Sequence, residues 1–399
     1  MKTHYKIVDL YSACLFAACL LSLTHLYVPT AIAEDNQSSH NAPVAAKMKE
    51  AYQPFLNLQE YLLDADRFQA PENRAKILGL IEQMDNSFHE IAPDDARYSK
   101  IPGFQSHLTS LKTMLSDVQM SLKEGNSSWA FWRVKTISNH CITCHTSYAP
   151  EVQFIDESTQ AEKLNALQRG EFFLSSRQFE KAREAFYEAA AAPSMPRATL
   201  DALRKWLILY TRVSPEPKEA LQKLQALFSR EKNHLTLYEQ EVIQNWEGSL
   251  QRWTAEPKQK LEPLEAAEKL LKSALQMDNP LFDQTDEVNL LRATALLHET
   301  LGTPELEVKK RRRALYLLGL CYSKLPLFFI NELPDIYLEQ CIREYPNTEE
   351  AKKSYRLLHE VITLGFTGSS GTHIPDDVAL RLHTLHDIAY GVPTLEGKV

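Results

Sequence analysis

The stretch HCITCHTSYAP, residues 140–150, places Cys141, Cys144 and His145 inside a pattern that otherwise reads as an amphipathic helix. At i, i+3 and i+4 the three side chains share one helical face. Three chemistries use two thiols and an imidazole in this arrangement. Two thiols can add to the vinyl groups of a porphyrin while the adjoining imidazole takes an axial position on its iron. Two thiolates can supply half of a zinc site, which needs a second ligand pair at suitable spacing. Two thiols can cycle with a disulfide, for which the first belongs at a helix N-terminus, where the macrodipole lowers its pKa. Here the motif lies near the C-terminal end of its helix, and Cys321 and Cys341 are too widely separated to form the second zinc pair. The spacing therefore favours one covalent haem c, held by Cys141 and Cys144 with His145 on the iron.

The N-terminus bears on the same choice, because it sets the compartment. Lys2 and Lys6 precede an apolar run at 15–23, and Ala31-Ile32-Ala33 forms a small-x-small site before Glu34. Residues 1–33 read as a cleaved secretory signal, which sends the mature chain to an oxidising, periplasmic compartment. An acylated Cys19 is disfavoured, because Phe16 is bulky where such sites take Leu and apolar residues continue past it. No later segment approaches the roughly 20 apolar residues of a bilayer span, so no transmembrane segment is expected in the mature chain. Cleavage leaves 366 of 399 residues, enough for two domains, and moves the net charge from −8 to −9. An acidic balance argues against a nucleic-acid partner. With neither a Ser/His/Asp arrangement nor a phosphate-binding loop in sight, no enzyme is expected.

The elements that must position the motif are helices. With 12 glycines and almost no alternating stretches, the fold class reads as all-α. Residues 43–150 carry four a/d stripes of an up-down-up-down four-helix bundle: Met48, Ala51, Phe55, Leu58, Leu62; Ile77, Ile81, Met84, Phe88, Ile91; Phe104, Leu108, Leu111, Leu115, Val118, Leu122; and Val134, Ile137, Cys141, Cys144, Tyr148. This places the cysteines on the buried seam. Pro71 opens the second helix, residues 93–102 separate the second from the third, and residues 124–128 precede the fourth, while Pro54 should kink the first or mark its start.

The stripe Val134, Ile137, Cys141, Cys144, His145, Tyr148, with the motif closing the domain, resembles the cytochrome c-prime family, four-helix cytochromes with the haem motif near the end of the last helix. The resemblance covers about residues 43–150. Where that family often has a basic residue soon after the motif, this chain has Ala149-Pro150. The segments Asp64-Ala-Asp-Arg-Phe and Pro71-Glu-Asn-Arg-Ala-Lys-Ile also resemble bacterial secreted cytochromes in which such a bundle precedes helical repeats. In this topology the end of helix four lies near Met48, His89 and His107, the candidates for the distal iron ligand. Met48 is preferred, being in the seam and aligned with the position from which low-spin members of the resembled family supply a methionine. His89 and His107 fall off the seam and read as surface residues, and His140 is expected to point elsewhere. A methionine opposite His145 suits single-electron transfer, whereas an open position admits NO or CO.

Residues 161–399 read as an α-solenoid. Gly170, Phe173, Ala182, Phe186 and Ala189 stand at the small and large positions of a tetratricopeptide repeat, which the segment resembles; a second match runs through Leu318, Gly319, Cys321, Tyr322, Tyr337 and Tyr345-Pro346-Asn347. Stacked repeats form a surface that binds proteins or peptides. Cys321 and Cys341, one on each helix of the second match, are expected to form a disulfide. The five cations at 309–313 read as a solvated helix start, and the glycine-rich residues 365–375 as a turn before a final helix. His359, His373, His383 and His386 around that turn read as surface residues. The expected function is a periplasmic monohaem electron carrier with an unknown redox partner protein. The rivals are a gas-binding or sensory haem protein with an open distal site and a haem-stabilised scaffold.

Overall fold

A computed structural model describes residues 38–62, 64–91, 101–148, 150, 152–154, 160–191, 196–257, 261–272, 286–325 and 332–392. The expected signal at 1–33 lies outside the described residues. The chain is all-α, its only strands among the described residues being a pair of dipeptides. It divides into a unit of residues 1–46, whose described part is helical, and a compact unit running from Lys47 to Val399.

Helix α1 spans Ser38–Leu62 and runs unbroken through Pro54, which therefore does not mark its start. The short α2, Ala65–Gln69, is capped by the Asp64 carboxylate, which accepts from the Asp66 amide at 2.9 Å. Helix α3, Pro71–His89, opens with proline where an amide would have no intrahelical partner. Helix α4, Phe104–Lys123, follows Gly103, whose φ of +82° suits glycine. The stripe residues Leu58, Ile77, Ile81, Met84, Leu115, Val118 and Leu122 are all buried at spacings of three and four. Helix α4 packs against α3, and an ion pair between Lys47 and Glu90 sets Lys47 of α1 beside the end of α3.

The expected fourth helix is two. Helix α5, Ser127–Val134, is capped by Asn126, and helix α6, Ile137–Ser147, starts two residues after α5 ends. The break resets the helical phase. In α6 the buried residues are Ile137, Ser138, His140, Ile142, Thr143, Thr146 and Ser147, whereas Cys141, Cys144 and His145 are partly buried. The reason is tertiary: α6 packs both on α4 and on the following helices, where Ile142 joins their apolar core.

Those helices are α7 Ala166–Ser175, α8 Phe179–Ala191, α9 Pro196–Ile208 with a wider turn at Leu209–Val213, α10 Pro217–Glu231, α11 Leu237–Ala255, α12 Pro263–Leu270, α13 Glu287–Leu301, α14 Val308–Lys324, α15 Leu333–Glu344, α16 Glu349–Gly365 and α17 Asp376–Tyr390. Neighbours in sequence pack as pairs, α7 on α8, α10 on α11 and α14 on α15. Two glycines set the approach. A Cβ on Gly170 would lie 2.4 Å from the Phe186 ring, and one on Gly319 would lie 2.4 Å from Leu338. The glycine-rich turn before α17 is a hairpin, β1 Thr367–Gly368 with β2 Gly371–Thr372.

Cys321 and Cys341 are buried free thiols, so the expected disulfide is not formed. Helices α14 and α15 pack so that the Cys341 thiol meets the Arg312 carbonyl at 3.5 Å. Arg312 precedes Cys321 by nine residues, about 13 Å along the helix. The basic cluster is likewise paired: Arg311, Arg312 and Arg313 reach Glu344, Glu350 and Glu268 at 3.8, 2.8 and 2.7 Å.

Candidate functional site

Helix α6 presents Cys141, Cys144 and His145 on one partly buried face near its C-terminal end. Burial pushes both thiols up to about 12, in the Cys141 case with help from the neighbouring Cys144. Protonated thiols at a helix C-terminus are the reverse of an activated redox dithiol. Burial, with the Arg177 guanidinium adding to it, pushes His145 down to about 3, against a smaller opposite pull from the Ser175 backbone. Its Nδ1 is buried and has no hydrogen-bond partner. Among the described residues no three His, Cys, Asp or Glu side chains converge as a metal site. An iron here would need a further group, such as a porphyrin tethered by the thiols, to hold it.

The candidate distal residues fall in different settings. Met48 is half-buried in α1. His89 is exposed at the end of α3, with its Nδ1 3.0 Å from the Asp85 carboxylate. His107, expected at the surface, is 1 % exposed. It sits on α4 with Nδ1 3.1 Å from the Tyr148 hydroxyl and 3.9 Å from Cys144 Sγ, while its Nε2 is buried without a partner. Burial, followed by the charges of His140 and Arg212, pushes it down to about 3. The sequence signal was available: His107, Leu111, Met114 and Val118 repeat at four, three and four residues, a stripe that shares Leu111 and Val118 with the one read as the seam. His140, expected to be bland, is also buried, with an unpartnered Nδ1 and a pKa lowered to about 4 by burial.

Several contributors come from beyond residue 161 and carry no motif. Arg177, in the α7–α8 turn, donates to the Tyr148 carbonyl at 2.9 Å and to the Val152 carbonyl at 3.3 Å, tying down the end of α6. It holds a left-handed φ of +61°, a conformation that costs a non-glycine residue roughly 1 kcal/mol. Arg212, 4 % exposed, donates to the Ser147 hydroxyl at 2.6 Å. Tyr337 meets the His107 ring edge-on at 5.9 Å, and His298 meets Tyr148 likewise at 5.9 Å. A cavity of about 1030 Å³ opens beside the end of α6, lined in part by Ser147, Tyr148, Arg212, Trp253, Arg292 and His298.

Two thiols on one helical face, a buried imidazole next to them with an unused nitrogen, and partial exposure of all three residues suit a covalently tethered porphyrin. No family model, curated protein or solved structure matches this chain.

Proposed function

We propose that this chain is a periplasmic monohaem c-type cytochrome that passes single electrons, with a tetratricopeptide-like helical platform that docks a protein partner. The observation that carries the reading is the partly buried face of α6, where Cys141 and Cys144 stand one turn apart beside His145 and its unpartnered Nδ1. Cys141 and Cys144 would hold the porphyrin and His145 its iron. The bound group supplies a one-electron iron couple.

The chain's own residues do the rest. Arg177 ties the end of α6 and brings a guanidinium close enough to His145 for its charge to act there. Arg212 anchors Ser147, two residues past His145, to the second half of the chain. Tyr148 closes the helix end, its ring packed edge-on against Phe104 at 5.7 Å. In this reading α1, α3, α4 and the broken α5–α6 make up a four-helix bundle, which the Lys47–Glu90 pair supports. Helices α7 to α17 make up the solenoid, which the glycine-on-large packing at Gly170 and Gly319 supports.

The test is production in a host that matures c-type cytochromes. The mass should rise by one haem that survives denaturation, and the Cys141→Ala/Cys144→Ala chain should lose it. A reduced spectrum indifferent to CO supports the electron carrier, and a CO-binding iron supports a gas-binding protein instead. A colourless wild-type chain ends the reading.

A further inference from the structure

We propose that His107 is the second axial ligand of the haem iron, through Nε2, with Tyr148 as the positioning residue that holds Nδ1; this rests on the haem reading above. The hydrogen bonds engage Nδ1 and leave Nε2 without a partner. The Tyr148 hydroxyl lies 3.3 Å from the Pro102 carbonyl, and in the tautomer that protonates His107 Nδ1 it donates its one proton there. Its oxygen then accepts from His107 Nδ1–H at 3.1 Å. With the proton on Nδ1, Nε2 carries the bare lone pair, buried and without a partner. A buried acceptor left unpaired is destabilising, and a metal ion bound there would remove that cost. An imidazole that donates from one nitrogen and ligates through the other is the usual arrangement of a histidine ligand.

The location agrees with the protonation. Among the three candidates, His107 is the one whose ring touches a residue of the motif, at 3.9 Å from Cys144 Sγ. His89 is exposed and engaged by Asp85. The His107 ring is also held from behind. Tyr337, from α15, packs edge-on against it and lies so close to Gly103 that a Cβ there would sit 2.9 Å from the Tyr337 hydroxyl. The His107 amide in turn donates to the Gly103 carbonyl at 2.8 Å. The second half of the chain therefore fixes the imidazole that the first half supplies.

The experiment compares absorption and electron-paramagnetic-resonance spectra of the full-length haem-loaded chain with those of His107→Ala, His107→Met, Met48→Ala and Tyr148→Phe. The wild type should be low-spin with two imidazoles and indifferent to CO when reduced. His107→Ala should become high-spin and CO-binding, and added imidazole should restore the low-spin spectrum. His107→Met keeps a side chain of similar volume in case the alanine variant fails to fold, and should show one imidazole and one thioether ligand. Met48→Ala should match the wild type. Tyr148→Phe should stay folded and haem-loaded but shift the resonance values and the reduction potential. A low-spin spectrum unchanged in His107→Ala, a low-spin signal lost in Met48→Ala, or a wild-type iron that already binds CO would each overturn the assignment while leaving the haem reading intact. A wild-type chain without attached haem overturns both.

Discussion

Cys141 and Cys144 share a helical face with His145, yet what surrounds them makes them poor nucleophiles. Burial lifts both thiols to about 12, so at pH 8 the thiolate fraction is far below that of a free cysteine near 8.5. The chain made without haem attachment should react with iodoacetamide at these two positions at least about a hundredfold more slowly than a small thiol, as followed by mass spectrometry of the labelled peptide. Fast labelling would point instead to a redox dithiol. Arg177 and Arg212 matter for the opposite reason: each carries its charge into the protein to bond the last residues of α6.

At the scale of elements, the paired helices depend on absent side chains. Gly170 lies under Phe186, and Gly319 under Leu338. Gly170→Ala and Gly319→Ala force a methyl into ring and branch atoms at 2.4 Å, and overpacking of this kind costs about 1–3 kcal/mol. Urea unfolding should show a lower midpoint with an unchanged slope for each variant. Gly79→Ala, where a Cβ meets nothing within 4 Å, should match or exceed the wild type. Helix α6 is shared between sets of helices, with α4 on one side and α7 and the Leu209–Val213 turn on another. A fragment ending at residue 154 would expose Ile142, now fully buried in the core of the later helices. It should melt at a lower temperature than the full chain and bind a hydrophobic dye.

Over the whole molecule, acid sensitivity follows from four buried neutral histidines: His107, His140, His145 and His298. Burial lowers the first three to about 3, 4 and 3, and holds His298 well below its ordinary value. Each is depressed in the folded chain relative to about 6.5 when unfolded. Between those values the unfolded chain binds more protons, so stability falls as pH drops through about 6.5 towards 3 and is fully present above. The melting temperature of the haem-free chain should decrease steadily from pH 7 to pH 4, and replacing His298 by Gln should flatten the slope. The Nε2 of His298, bonded at 2.8 Å to the Tyr322 hydroxyl, can be mimicked by the amide.

The sequence alone determined the helical class and most of the buried stripes of the first helices, and it supplied the residue types on which the proposed chemistry of the motif rests, because these depend on local repeat and on residue type. Ile77, Ile81, Met84, Leu115 and Val118 were readable as core from their spacing, and Gly170 with Phe186 as a close helical pair. The break between Val134 and Ile137 was not readable: the pattern was continued across it, and only contact with the later helices shows that Ile142 is the α6 residue that joins their core. The pairing of Cys341 with the Arg312 carbonyl, the burial of His107 under Tyr148 and Tyr337, and the reach of Arg177 and Arg212 to α6 were decided by tertiary structure alone. Each joins residues 29 to 230 positions apart, and helical periodicity carries no information over such distances.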